Sequence, residues 1–151
     1  MPQLATALPV TLGETNKTLP VVRVAITQKL VRLDLGRMND PIGRVASESV
    51  EITLRAAEGD VADMFSGSAA DPVPYARIRL GDQDVEAMFK LGEPCTNGFE
   101  LDLVFLLLRV APHAIQFGDD WELDDERSYS HDGVTVQVVR PKQKLRLRDN
   151  R

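Results

Sequence analysis

The sequence predicts a mainly β fold: an antiparallel β-sandwich or barrel, with one helix over about residues 98–111 and extended arms at both ends. Three observations predict it. Apolar and polar residues alternate through most of the stretch from 21 to 148, the period of strands with one dry and one wet face. Short turn signals separate the alternating runs, "GDQD" at 81–84 and "HDG" at 131–133, where Gly and Asp tolerate tight-turn dihedrals. A chain of 151 residues with 43% apolar content suits one domain with its own core.

The first twenty residues, "MPQLATALPVTLGETNKTLP", hold three prolines, no apolar periodicity and only Glu14 and Lys17 as charges. Proline favours extended backbone and cannot donate to a ladder, so residues 1–20 are expected to form an N-terminal arm. The β domain is then expected over 21–139. In it "VVRVAIT" sets Val22, Val24 and Ile26 on one face, and "LVRLDLG" sets Val31, Leu33 and Leu35 inward. "SVEITLRA" sets Val50, Ile52 and Leu54 inward, with Glu51, Thr53 and Arg55 outward. "YARIRLG" and "DVEAMFKLG" alternate likewise through Ala76, Ile78, Leu80 and then Val85, Ala87, Phe89, Leu91, with "GDQD" closing them as a hairpin. "GVTVQVV" gives Val134, Val136 and Val138, and "KLRLR" gives Leu145 and Leu147 against Lys144, Arg146 and Arg148.

Two segments break the period. "AAEGDVADMFSG", residues 56–67, has room for one or two helical turns before the link "SGSAADPVP". "NGFELDLVFLLLRVAP", residues 97–112, reads two ways. As a helix, Asn97 caps it, Glu100 follows three residues later and Pro112 stops it, with Leu101, Val104, Leu108 and Ala111 on one face. As a strand, it is a central element buried on both sides. Its length favours the helix.

Composition narrows function. The net charge is −5, yet residues 140–151, "RPKQKLRLRDNR", carry six basic side chains against one Asp, which leaves −10 on the rest. An acidic body repels nucleic acid beyond a Debye length of roughly 8 Å, so nucleic acid is an expected partner only through this tail. No apolar run is long enough to span a bilayer, and the N-terminus lacks the pattern of a secretory signal. Cys95 is the single cysteine, so no internal disulfide forms. A cytoplasmic protein, or one assembled there into something larger, is the expectation.

Few residue patterns point to chemistry. "DDWELDDER", residues 119–127, clusters Asp119, Asp120, Glu122, Asp124, Asp125 and Glu126. Hard cations seek such oxygens, but no register supplies the Gly and Glu of a calcium-binding EF-hand loop. The loop reads as solvated, or as the electrostatic counterpart of the basic tail, within one molecule or between neighbours. "SHD", residues 130–132, has the residue types of a catalytic triad, but triad members converge from separate elements; with Gly133 it reads as a hairpin tip. Cys95 would be a nucleophile only near a cation or helix N-terminus. His113 and His131 make no zinc pair, and no phosphate-cradling glycine motif occurs. No catalytic, cofactor or metal residue is assigned.

The tail "KLRLR" reads as a charged edge strand or as an addition strand for a partner's acidic surface. Arms at both ends of a small acidic β body resemble the small structural proteins of tailed-bacteriophage virions: capsid decoration, head–tail joining, tail or baseplate components. The resemblance lies in architecture and carries no site residue across. It implies a non-enzymatic subunit located in a virion and bound to copies of itself or to other structural proteins. The residues expected to meet partners are Arg140, Lys142, Lys144, Arg146 and Arg148 of the tail, with Asp119, Asp120, Glu122, Asp124 and Asp125 of the acidic loop. The alternative is a β module that takes a small ligand or cation near residues 119–133; a hydrolase built on Cys95 ranks third.

Overall fold

The computed structural model describes residues 3–33, 43–65 and 75–143. Within these residues nine strands run in the order β1 (Ala7–Leu12), β2 (Thr15–Leu33), β3 (Gly43–Ala57), β4 (Tyr75–Leu80), β5 (Gln83–Pro94), β6 (Glu100–Leu107), β7 (Trp121–Leu123), β8 (Tyr129–His131) and β9 (Val134–Pro141). One α-helix among the described residues, α1 (Glu58–Phe65), follows β3. Six strands close on themselves in the order β1-β4-β5-β6-β3-β2, because β1 also pairs with β2, and every pairing is antiparallel. Of the two architectures left open by alternation, the chain adopts the barrel.

Closure follows from where the apolar residues fall. Leu8, Val10 and Leu12 of β1, Val50, Ile52 and Leu54 of β3, Ala76 and Ile78 of β4, Ala87 of β5, and Leu103, Phe105 and Leu107 of β6 are all buried in one cluster. They fill the interior with side chains, as small barrels require. Two bulges adjust the fit. One at Val21/Arg23 turns Val21 and Val24 inward in place of the expected Val22. The other, between Phe89 and Leu91, leaves Lys90 unpaired in the ladder and turns Leu91 out, 44% exposed.

The N-terminal arm expected over residues 1–20 is instead the first hairpin of the barrel. Residues 7–12 pair with 15–20, Leu8 with Leu19 and Leu12 with Thr15. Prolines misled the reading. Pro9 sits at a ladder position where its missing N–H is tolerated, while Leu8, Val10, Leu12 and Leu19 alternate around it at near-zero exposure. The domain therefore has no boundary at residue 21.

The helix expected near 98–111 is also corrected: residues 100–107 are strand β6, paired on both sides by β3 and β5. The cap signal itself is real. Asn97 Oδ1 accepts hydrogen bonds from the Phe99 and Glu100 backbone N–H groups at 2.8 and 3.2 Å, and Asn97 Nδ2 donates to Glu100 Oε1 at 2.8 Å. That is the capping exchange, here closing the β5–β6 turn and leading into a strand. The true helix is α1, within the segment read as one or two helical turns. It lies across the barrel end where β2 starts, with Met64 buried, the Thr15 hydroxyl bonded to the Asp63 carbonyl, and Lys17 paired to Asp60 and Asp63.

Beyond the barrel, β9 extends the sheet along Val24–Lys29 of β2, and β7 and β8 lie end to end on the far edge of β9. The Asp132–Gly133 link has φ of 52° and 79°, the paired left-handed conformation of a two-residue type I′ hairpin, as the "HDG" signal predicts. The second basic strand expected over 144–148 lies outside the described residues.

Candidate functional site

The acidic loop and the start of the basic tail meet within one molecule. Glu122 of β7 and Arg140 of β9 occupy directly opposite ladder positions, where opposite charges attract. Arg140 Nε lies 2.9 Å from Glu122 Oε2 and Arg140 Nη1 lies 3.5 Å from Asp124 Oδ2. Arg127 Nε approaches the same Asp124 oxygen at 3.6 Å. The hydrogen bond to Glu122 raises the Arg140 pKa further above neutrality. Asp124 is buried because its backbone is bound as well: its N–H donates to the Val138 carbonyl, and its carbonyl accepts from Ser128.

Of the other expected partner-binding residues, Asp119, Asp120 and Asp125 are exposed, as is Lys142, whose N–H donates to the Asp120 carbonyl. Lys144, Arg146 and Arg148 lie outside the described residues. Among the described residues, no three acidic, His or Cys side chains lie together so as to hold a metal ion, and Asp124 is turned toward arginines. His131 and Asp132 form a 3.0 Å contact at an exposed hairpin tip.

Cys95 has an environment opposite to that of a nucleophile. Its thiol donates to Asp102 Oδ1 at 3.4 Å, and Asp102 is clamped by Arg55 through Nε at 2.8 Å and Nη2 at 3.2 Å. Burial pushes the Cys95 thiol up, and the adjacent carboxylate pushes it further. For Asp102, burial alone would raise the carboxyl; the Arg55 and Cys95 hydrogen bonds outweigh it and hold the group below its usual range. Since the thiolate is the reacting species, Cys95 is expected to react with a thiol reagent at pH 8 more slowly than free cysteine. Stopped-flow labelling of the folded protein checks this, and denatured protein should recover the ordinary rate.

The outer wall of the barrel carries a feature that residue-by-residue motif searching misses. On β6, Leu103, Phe105 and Leu107 face inward, and Val104 and Leu106 face out. Opposite them stand Leu91 and Met88 of β5, and beyond Met88 stands Tyr75 of β4, 60% exposed. Tyr75, Met88, Leu91, Val104 and Leu106 thus form one apolar patch across three strands. The ion pair between Lys90 and Glu51, at 2.7 Å, crosses it. Along the same face, Val104 pairs with Thr53, and Thr53 with Arg23. Burial lowers the Arg23 pKa, the neighbouring Arg127 lowers it further, and Asp102, Asp124 and Glu93 act against them. Among the described residues, neither Arg23 nor exposed Glu93, which sits opposite Asp102, makes a hydrogen bond or a close ion pair. The signal available beforehand was the run "LDLVFLLL": a strand apolar at consecutive positions is apolar on both faces.

The β2–β3 hairpin is a second feature. Leu30 still donates its N–H to the Gly133 carbonyl at the β8–β9 turn, at 3.0 Å, but ladder pairs Val31↔Val45, Arg32↔Arg44 and Leu33↔Gly43 continue past it and past Val50, the last residue that β6 reaches. Among the described residues no third strand flanks these three pairs. No protein family matches this chain in sequence, and no curated protein does.

Proposed function

We propose that the protein is a non-enzymatic structural subunit of a larger assembly, a virion being the assembly that its resemblance to small tailed-phage proteins suggests. It acts through arm and sheet-face contacts with copies of itself and with other structural proteins. The observation that carries this reading is the projecting β2–β3 ribbon. Its three unflanked pairs run about 10 Å at 3.3 Å per residue, and a two-stranded ribbon is marginal in water unless another surface supports it. The arm is thus assigned to the middle of the chain, and the termini are no longer its basis. The ligand-binding alternative finds less support, because the barrel interior is filled and the carboxylates of the acidic loop nearest the sheet are occupied by Arg127 and Arg140.

The test replaces residues 31–45 by Asn-Gly, so that a two-residue turn joins Leu30 to Ala46, which are already paired. Sedimentation velocity should find the intact protein in species larger than a dimer. The shortened protein, with unchanged near-ultraviolet circular dichroism, should lose those species. An intact protein no larger than the shortened one at every concentration, or a shortened one that assembles equally far, overturns the proposal.

A further inference from the structure

We infer that residues 43–49 of β3 are a strand-pairing edge for the same residues of a second copy, antiparallel about a two-fold axis at Ala46. The inference rests on the reading of the protein as an assembly subunit and names a contact that its ribbon makes.

The edge is left open by β6. The β6 ladder on β3 ends at Leu107, opposite Val50. Leu108 then donates its N–H to the Glu86 carbonyl of β5, and Arg109, at a φ of 60°, leaves the extended conformation and ends the pairing. Among the described residues, no strand pairs with that edge of β3 from Gly43 to Ser49.

The backbone groups that face outward follow from two hydrogen bonds. Successive residues of an antiparallel strand send their N–H and C=O groups to one neighbour and then to the other. Glu58 donates to the Phe99 carbonyl, so the even-numbered residues of β3 bond on the β6 side. Leu30 donates to Gly133, away from β3; Leu30↔Ala46 is thus a non-hydrogen-bonded pair, and Ala46 also faces away from β2. The N–H and C=O groups of Arg44, Ala46 and Glu48 therefore point to the open edge. No proline or bulge interrupts residues 43–49, and such devices are what keep an edge from pairing with another chain.

The charges choose the occupant and the register. With the axis at Ala46, Arg44 of each copy stands directly opposite Glu48 of the other, where opposite charges attract. Moving the axis by two residues sets Arg44 against Arg44 or Glu48 against Glu48. Moving it by one sets both opposite apolar residues. Within its own chain Glu48 accepts from the uncharged Gln28 amide at 2.7 Å. Arg44 stands opposite Arg32, a like-charge pair that is unfavourable in the lone chain and that the second copy's Glu48 offsets. Lys29, opposite Ser47, belongs to the other face of the ribbon. The two ribbons join into one sheet of more than two strands, the condition that a ribbon alone does not meet.

Covalent trapping reads this register whatever other contacts the assembly makes. In the full-length chain with Cys95→Ser, Ala46→Cys sets two thiols opposite each other at the axis, where Cα atoms about 5.5 Å apart suit a disulfide. Mild oxidation should link most of the protein as dimers on non-reducing electrophoresis. Ser47→Cys, whose counterpart sits two residues along, should link at least about tenfold more slowly. In the Ala46→Cys background, Glu48→Arg and Arg44→Glu should each slow linking at least about tenfold, and together restore it to within about threefold. Ending the chain at Gln143 should leave linking unchanged, since the C-terminal tail is not the strand that fills this edge. Circular dichroism establishes that each variant is folded, and Glu48→Arg, at an exposed position, carries the charge test alone should Arg44→Glu not fold. Equal rates for the two cysteine positions, indifference to Glu48→Arg, a double exchange no better than either single one, or linking lost with the tail overturns the inference. Any of these in a protein that still loses its larger species on removal of residues 31–45 leaves the assembly reading standing, whereas an intact protein that is monomeric removes both.

Discussion

Replacing Phe105 by Ala should destabilise the protein by about 3–5 kcal/mol, the range for emptying a buried aromatic site. Phe105 is fully buried at the middle of β6. It lies opposite Ile52 of β3 on one side and Phe89 of β5 on the other, its ring 5.6 Å from that of Phe89, which in turn lies 4.9 Å from Phe65 of α1. One side chain thus joins both neighbouring strands and, through Phe89, the helix that closes the barrel end. The surrounding residues are strand-bound and cannot collapse into the space, which favours the upper part of the range. Urea unfolding followed by the fluorescence of Trp121 should report a lower midpoint with an unchanged slope, and the melting temperature should fall by about 10 °C for a chain of this size. Phe105→Leu keeps most of the volume and should lose less than half as much. Equal losses for the two substitutions would mean that cavity volume is not what this site contributes.

Phe105 also marks the limit of what the sequence made legible. Alternation in β3 and β4 placed Val50, Ile52, Leu54, Ala76 and Ile78 correctly, because each strand has one wet face and the pattern repeats without interruption. The same logic failed at β6, where consecutive apolar residues erase the period and a helix and a doubly covered strand become indistinguishable. The Asn97–Glu100 exchange then tipped the reading, since the same hydrogen bonds close a helix N-terminus and this turn. At β1 the failure had a different cause. Pro9 and Pro20 suppress a strand assignment by local propensity, yet a proline is tolerated wherever its position asks for no donor, and that is a property of the partner strand.

The candidate site was legible only in its charges. Opposite-sign clusters at 119–127 and from 140 onward announced a pairing, and the ladder of β7 on β9 brings Glu122 to Arg140 as that pairing requires. The Arg23, Thr53 and Val104 row was hidden, because its members come from β2, β3 and β6 and become neighbours only once the register is set, the bulge at Val21/Arg23 included. The projecting ribbon was equally hidden: an alternating run states that a strand exists, never how far its neighbours accompany it.

Replacing Trp121 by Ala should produce a loss of comparable size, about 3–5 kcal/mol, for a reason that the barrel alone does not supply. Trp121 is buried where the segment after β6 returns to the N-terminus: its ring lies 5.2 Å from that of Phe117, and its Nε1–H donates to the Leu4 carbonyl at 2.9 Å. Leu4 in turn donates its N–H to the Gln116 carbonyl at 2.8 Å. Residues 4 and 121 therefore fasten the entry of β1 to the β7–β9 layer, across the point where β2 exchanges β1 for β9 as its neighbour. Trp121→Phe separates the two contributions. It keeps most of the ring and removes the donor, leaving a buried carbonyl with one fewer partner, and should cost about 1–3 kcal/mol. Because Trp121 is the only tryptophan, stability is read from circular dichroism and hydrogen exchange. In the Ala variant the amides of Leu4, Trp121 and Asp124 should exchange faster by a larger factor than those of Ile52 and Phe105, since the layer opens before the barrel does. Uniform acceleration across both sets would mean that barrel and outer layer unfold as one unit and that Trp121 is an ordinary member of a single core.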